Sequence, residues 1–212
     1  LGSDEVWDRS EAALVESLTA AKLPFEIAPG EGAFYGPKIE FHLKDALGRS
    51  WQLGTMQTDP NLPERFDLTY VAANNERQRP IMLHRAVLGS IERFLGVLIE
   101  HCGGSFPTWL APEQIALLTV HERFTDYANE VAAEFRKHGL RVTVDTSNEK
   151  LGAKIRAARN LRIPFLGVIG EREVEAKALA VRSRDENKEL GAIPVADVLQ
   201  RLQRENVPPS RR

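Results

Sequence analysis

The sequence predicts two consecutive regions: an α+β region built on an antiparallel sheet, then a compact α/β domain. Three observations carry this expectation. The 212 residues are 42% hydrophobic and 27% charged, the balance of an ordinary globular protein with room for one large or two small domains. The first half shows short alternating strands around a hairpin signal. The second half switches to strands and helices in turn, after a break at CGGSFPTWLAPEQ (residues 102–114) rich in glycine and proline. The predicted regions are residues 1–110 and 111–212.

Taken in order, residues 3–22 read as a helix. Ser3 can cap it, Asp4 and Glu5 suit its positive end, and Val6, Ala13, Leu14, Leu18 and Ala21 form a helical stripe. Leu23-Pro24 ends it, and residues 25–28 read as a short strand. GEGAFYGPK (30–38) is a glycine-rich turn. Residues 39–44 and 50–56 alternate around Leu47-Gly48 as a β-hairpin, and 58–63 read as a polar loop. Strands are expected over 66–72 and 80–86, and a helix over 89–101. Beyond the break, strands are expected over 115–120, 141–144, 165–169 and 178–182. Helices are expected over 125–138, stopped by Gly139, over 150–161, stopped before Pro164, and over 194–205. This order favours helices packed on a mostly parallel sheet. The tail, 206–212, reads as frayed.

Composition narrows the function classes. No apolar run approaches a membrane span and no signal peptide opens the chain, so no membrane partner is expected. The net charge of −2 means that any nucleic-acid contact relies on a local basic patch. The single cysteine, Cys102, excludes an internal disulfide and a cysteine-rich zinc site, and fits a reducing cytoplasm.

The most informative stretch is PIMLHRAVLGSIERFL (80–95). An apolar strand carrying His84 passes through Gly89-Ser90 into an amphipathic helix opening with Glu92-Arg93. It sets an imidazole and a guanidinium near one strand-to-helix junction. On its residues alone, His84 reads as a core histidine, because nothing nearby has ligand spacing. Arg93 reads equally as a surface arginine paired with Glu92 or Glu100. The stretch resembles motif 3 of class II aminoacyl-tRNA synthetases. Its flanks, GEGAFYGPKIEFHLKDALGRSWQLGTMQTD before it, then FPTWLAPEQ and NEKLGAKIR after it, resemble the threonyl-tRNA synthetases in order and spacing over nearly the whole chain. The resemblance implies a partial antiparallel class II catalytic sheet followed by a mixed-sheet α/β anticodon-binding domain.

It also implies site residues. His84 matches one of three zinc ligands, the other two, a cysteine and a histidine, being expected upstream. Zinc then leaves positions open for the amino and hydroxyl groups of threonine, which rejects valine. Arg93 matches the arginine that lies against adenine and reaches the γ-phosphate of ATP, which is bound with Mg2+. Tyr35 and Lys38 match residues near the amino acid, with Gly32 and Gly36 letting backbone approach the ligand. Gln52 and Thr55 would face ATP, Gln57 would face threonine, and Ser90 would line the pocket. Strict alternation puts Gln52, Gly54 and Met56 on one face, so joining Thr55 and Gln57 to the same site calls for a bend at Gly54. Asn148, Glu173 and Arg182 match anticodon-reading positions. Lys150, Lys154, Arg156, Arg159 and Arg162 would supply a basic face for phosphates, although such a run also reads as a solvated helix face.

The sequence departs from the family at Thr58 and Pro60, which flank Asp59 where a leucine and an aromatic are usual. Ala72-Ala73 replaces a glycine-acidic pair, and Leu53 a position sometimes held by cysteine. No editing region, motif 1 for dimerisation or motif 2 arginine is found. The implied activity is ATP-dependent charging of threonine tRNA by a homodimeric enzyme. This chain is expected to be a piece of that enzyme, inactive alone, or a degenerate paralogue. The alternatives are a non-enzymatic tRNA- or RNA-binding or regulatory protein of synthetase descent, and an amino-acid-binding accessory subunit.

Overall fold

A computed structural model describes residues 2–209 of the chain. The chain divides into two compact units, one ending at His101 and the other starting at Cys102.

The first unit opens with helix α1 (Asp4–Ala20), whose Ser3 hydroxyl accepts the amide of Val6 at 3.4 Å. The expected strand over 25–28 does not form. Phe25 and Ile27 are exposed, and no strand pairs with this segment. The predicted hairpin is β1 (Lys38–Lys44) and β2 (Ser50–Asp59), and β5 (Met82–Ala86) completes an antiparallel sheet in the order β1-β2-β5. The supposed polar loop over 58–63 is the end of β2 and the start of a one-turn helix, α2 (Asn61–Arg65). Of the strand expected over 66–72 only β3 (Tyr70–Val71) exists, paired with β4 (Arg77–Gln78) in a separate ribbon. Helix α3 (Ile91–Cys102) closes the unit.

Register fixes which side chains share a face. Lys38, Gln57 and His84 are directly opposed across the three strands, as are Glu40, Thr55 and Ala86. On β2, His42 faces Gln52 and Phe41 faces Gly54, so Leu53 is an extra residue. This bulge shifts the phase of β2 by one. Gln52 therefore joins Thr55, Gln57 and Asp59 on one polar face. Two glycines are required by close approach. A Cβ on Gly36 would lie 2.0 Å from the Thr58 carbonyl oxygen, and one on Gly89, at φ +63°, 2.1 Å from that of Leu53.

The second unit holds a five-stranded sheet. Its strands are β6 (Ile115–Thr119), β7 (Val142–Asp145), β8 (Phe165–Ile169), β9 (Ala178–Ser183) and β10 (Lys188–Pro194), in the order β10-β9-β8-β6-β7. β6 runs parallel to β7 and β8, whereas β8–β9 and β9–β10 are antiparallel. The sheet is therefore mixed, not mostly parallel. The sequence reading missed β10, whose side chains are largely exposed and leave little apolar alternation to read. A turn of 3-10 helix (Glu122–Phe124) leads into α4 (Thr125–Lys137). The remaining helices are α5 (Leu151–Asn160), α6 (Glu171–Glu175) and α7 (Val195–Glu205).

α4 and α7 cover one face of this sheet, where Phe135, Val131, Val198 and Leu202 pack on Ile115, Leu117 and Leu179. α5 covers the other, with Ala158 on Ala116, Leu118 and Leu166. Gln114, fully buried, ties three segments together. Its amide donates to the Thr108 carbonyl at 2.8 Å and to Asn206 Oδ1 at 2.6 Å, and its oxygen accepts from Arg141 N at 3.0 Å. The tail read as frayed is thus anchored at Asn206, and residues 210–212 lie outside the described ones.

Candidate functional site

On the polar face of the first sheet, Asp59 and His84 line a cavity together with Tyr35 from the preceding turn, and Gln57 bonds to Tyr35. His84 Nε2 donates to Asp59 Oδ2 at 2.9 Å, and the Tyr35 hydroxyl donates to Gln57 Oε1 at 2.6 Å. The Tyr35 ring meets the His84 ring edge-on, with centroids 6.2 Å apart. The cavity, of 290 Å³, is lined by Phe34, Tyr35, Asp59, Asn61, Leu62, Arg65 and His84. Asp59 is 3% exposed. Its Oδ1 accepts the amides of Asn61 at 2.8 Å and Leu62 at 3.1 Å, which starts α2. Burial pushes the Asp59 carboxyl up, but His84 and those two amides together hold it below its usual range. An ionised carboxylate only accepts, so Nε2 of His84 carries the proton of this bond. The Nδ2 of Asn61, in the same cavity, is buried without a hydrogen-bond partner.

The donor set fits one corner of a metal site. A histidine ring held by a carboxylate through one nitrogen, as His84 is by Asp59, is the usual support of a metal-bound histidine. Among the described residues, no three His, Cys, Asp or Glu side chains gather to hold a metal. The described residues therefore form no complete metal cage.

The other nominated residues of this unit are more dispersed. Lys38 shares the polar face and is ion-paired with Glu40, which is held below its usual range chiefly by Lys38. Gln52 Nε2 donates to Thr55 Oγ1 at 3.1 Å. Arg93 lies outside the His84 cavity. Its Nη1 donates to the Gln52 carbonyl at 2.8 Å, and its guanidinium sits 5.8 Å from the centre of the Trp51 ring. Neither Glu92 nor Glu100 pairs with it; Glu100 lies 3.8 Å from Arg49 instead. Trp51 is itself held, its indole N–H donating to Asp45 Oδ2 at 2.9 Å. That bond is the largest cause lowering the Asp45 pKa from its ordinary 3.8 to about 2, with Arg49 and the hairpin amides adding to it. Ser90 caps α3, accepting from Arg93 N at 3.3 Å and donating to Glu92 at 2.7 Å. A Cβ on Gly32 would meet the Trp7 ring and one on Gly36 the Thr58 backbone.

In the second unit, Asn148 is exposed in the loop after β7, and Glu173 lies on α6 just after β8. β7 and β8 both run parallel to β6, so these two positions follow strand ends on the same edge of the sheet. The Glu173 carboxylate accepts the Gly170 amide at 2.9 Å and thereby caps α6. Arg182 is opposite Leu166, three residues before Ile169 at the end of β8, which sets its backbone roughly 10 Å from that edge. It is ion-paired with Glu189.

Lys154 corrects the basic-face reading. Lys150, Arg156, Arg159 and Arg162 are exposed, but Lys154 is 3% exposed and hydrogen-bonded inside the protein. The signal was present in the sequence: Leu151, Lys154, Ile155 and Ala158 follow the i, i+3, i+4, i+7 spacing of a buried stripe. Asp59 was also missed. It was visible in the TDP segment, but its pairing with His84 depends on a register 25 residues long in sequence.

Comparison with known proteins agrees with this geometry. Residues 4–102 match the family described as tRNA synthetase class II core domain (G, H, P, S and T), and residues 114–205 match the anticodon binding domain family. Together with the antiparallel and mixed sheets, these matches define part of a class II aminoacyl-tRNA synthetase core joined to an anticodon-binding domain. A threonine–tRNA ligase from Burkholderia multivorans is 54% identical over 203 residues, covering 96% of this chain and 32% of the relative. The crystal structure of the RNA binding domain of threonyl-tRNA synthetase from Cryptosporidium parvum superimposes with a TM-score of 0.91 at 37% identity, covering 99% of this chain and 53% of the other. A structure described as threonyl-tRNA synthetase from Aeropyrum pernix gives 0.72 at 33%, covering 97% and 51%. The chain belongs to the threonyl-tRNA synthetase family. It spans about a third of the length of the curated relative it matches. No helix among the described residues is long and apolar enough to cross a membrane.

Proposed function

We propose that the chain supplies one wall of the threonine- and ATP-binding site and the anticodon-binding domain of a threonine–tRNA ligase, residues 1–110 serving the first role and 111–212 the second. The observation that carries this reading is the setting of His84: Asp59 engages Nε2, Nδ1 is the other ring nitrogen, and the ring packs edge-on against Tyr35, itself hydrogen-bonded to Gln57. With two further ligands from outside this chain, His84 would hold zinc, which when bound grips the amino and hydroxyl groups of threonine and so rejects valine. Tyr35 and Gln57, already hydrogen-bonded to each other, would line the amino-acid side, with Lys38 as the nearby cation. Arg93, which has no carboxylate partner among the described residues, would take the adenine and γ-phosphate of Mg2+-bound ATP, with Gln52, Thr55 and Ser90 beside it.

In the reaction so served, a threonine carboxylate oxygen attacks the α-phosphorus of ATP and the bond to the β-phosphate breaks, releasing pyrophosphate. A terminal ribose hydroxyl of the tRNA then attacks the activated carbonyl, giving up its proton, and AMP leaves. The residues of this chain act by positioning and charge neutralisation. Asn148, Glu173 and Arg182 would face the anticodon, and the exposed Lys150, Arg156, Arg159 and Arg162 the backbone phosphates. The complete enzyme is proposed to be a cytoplasmic homodimer, and this chain alone is proposed to bind tRNA without charging it.

The test places this chain in the matching third of the Burkholderia multivorans relative. His84→Ala should abolish threonine-dependent ATP–pyrophosphate exchange and leave tRNA affinity unchanged. Undiminished exchange would overturn the ligand role. A second reading, RNA binding without catalysis, is favoured by the second unit's self-contained core. It predicts tRNA binding by the chain and no exchange activity in that chimera.

A further inference from the structure

We propose that Lys154 is a positioning residue for anticodon reading: its ammonium clamps the ends of β6 and β7 and so fixes the loop that presents Asn148. The inference rests on the proposed reading of Asn148 as a base contact, and it replaces the expectation that Lys154 meets phosphate.

The geometry is a saturated buried cation. Lys154 Nζ donates to the Thr119 carbonyl at 3.0 Å, to the Asp145 carbonyl at 3.2 Å and to Thr119 Oγ1 at 3.3 Å. An ammonium has three donors, and all three are used. Asp145 Oδ1 lies 3.8 Å away, which places a negative charge beside the cation. Thr119 Oγ1 also donates to the Asp145 carbonyl at 3.2 Å. A lysine side chain that is 2% exposed costs solvation unless it is paired in this way.

The location gives the clamp its use. The β6–β7 ladder ends at Leu118 opposite Asp145. Past that rung, Thr119 stays with β8, opposite Ile169, while the chain leaves β7 for the loop and α5. Two parallel strands part here, and beyond the ladder their last carbonyls take side-chain donors, Lys154 for both and Thr119 Oγ1 as well for Asp145. Lys154 reaches back from α5, the helix that follows the loop, and joins both. Asp145 hands the restraint on, because its Oδ1 accepts the Ser147 amide at 2.9 Å one residue before Asn148. The loop is thus held at both ends by one side chain, and a base contact made from it keeps a fixed position.

The two roles for Lys154 separate in a salt series. The full 212-residue chain is titrated by fluorescence anisotropy with a threonine tRNA and with the same tRNA carrying a replaced anticodon loop. Lys154→Met should reduce the preference for the matched tRNA about tenfold, the scale of one well-placed base contact. It should leave the slope of log affinity against log salt unchanged. Arg156→Ala, at an exposed position, should instead lower that slope by about 0.7 and keep the preference. A lower slope with intact preference for Lys154→Met, or no change in either, overturns the clamp. Thr119→Val removes one acceptor of the same clamp while leaving the lysine in place. It should give a smaller loss of preference, and an unchanged preference counts against the proposal even if Lys154→Met fails to fold. Asn148→Ala separates the premises. If it leaves the preference unchanged, the base-contact reading fails. If it removes the preference while Lys154→Met and Thr119→Val do not, the clamp alone fails.

Discussion

The two units solve the same stability problem differently. In the second, a five-stranded sheet is covered on both faces by helices, and fourteen side chains form one continuous buried cluster on the α4 and α7 side. In the first, Leu53 is the only buried hydrophobic side chain among the described residues apart from two prolines. The face opposite the His84 cavity carries Phe41, Leu43 and Leu83, exposed to 39%, 49% and 58%. An amphipathic sheet is stabilised by another layer on its apolar face, and here that face remains largely open. What orders the first unit is instead its backbone ladders and a few buried carboxylates: Asp45 closes the hairpin turn and Asp59 joins β2, α2 and β5. One unit is held by its core and the other by polar clamps.

That contrast can be broken most directly by truncating large side chains. Phe135→Ala should cost the second unit about 3–5 kcal/mol, whereas Phe41→Ala should cost the first less than about 1 kcal/mol. Denaturant titrations read through Trp109 for the second unit and Trp51 for the first would separate them. Equal losses would refute the distinction. Next in size, Gly36→Ala should destabilise the first unit by about 1–3 kcal/mol, because the new methyl meets backbone that cannot yield freely. The Tyr35 to Gln57 hydrogen bond should weaken with it, seen as a shifted Tyr35 side-chain resonance. In the second unit Gly152, on α5 with open space around it, should behave oppositely. Gly152→Ala should raise the denaturation midpoint by the equivalent of about 0.5–1 kcal/mol.

Acid should sharpen the comparison with the smallest effect. The folded pKa of Asp45 is depressed from 3.8 to about 2, so its stabilisation is present above pH 3.8 and is lost as the pH falls toward about 2. Asp59 is shifted in the same direction. The hairpin and the His84 cavity should therefore loosen in this window, seen by Trp51 emission and His84 resonances, while amides of β6 and β8 stay protected from exchange. Loss of protection in β6 at the same pH would show that the units are not distinct in this respect.

Legibility in the sequence follows the same division. Strands β6 and β8 are continuous apolar runs, and α4 has a clear stripe, so the second unit could be read from periodicity. β10 could not, since KELGAIP gains its strand state only by pairing with β9. In the first unit the hairpin was visible through Leu47-Gly48, but the strand expected at 25–28 had apolar residues without a partner strand, and the one expected at 66–72 pairs only at Tyr70–Val71. Site residues on β2 and β5 were identified by resemblance to a family, while their common face depended on one extra residue that no alternation pattern reveals. Lys154 shows the reverse failure. Its charge suggested the surface, although its place on the stripe of α5 pointed inward.

The bulge at Leu53 has an implication for how this hairpin tolerates change in length. Insertions at the turn between Lys44 and Ser50 add residues beyond the last rung and leave every side chain of β2 on its own face. Removing Leu53 restores strict alternation with Gln52, Thr55, Gln57 and Asp59 still on one face, whereas removing one residue between Gly54 and Asp59 turns part of that set to the opposite face. Length variation among relatives should therefore collect at Ala46–Leu47–Gly48 and at the bulge, and the count of residues from Gly54 to Asp59 should be invariant wherever His84 keeps its carboxylate partner.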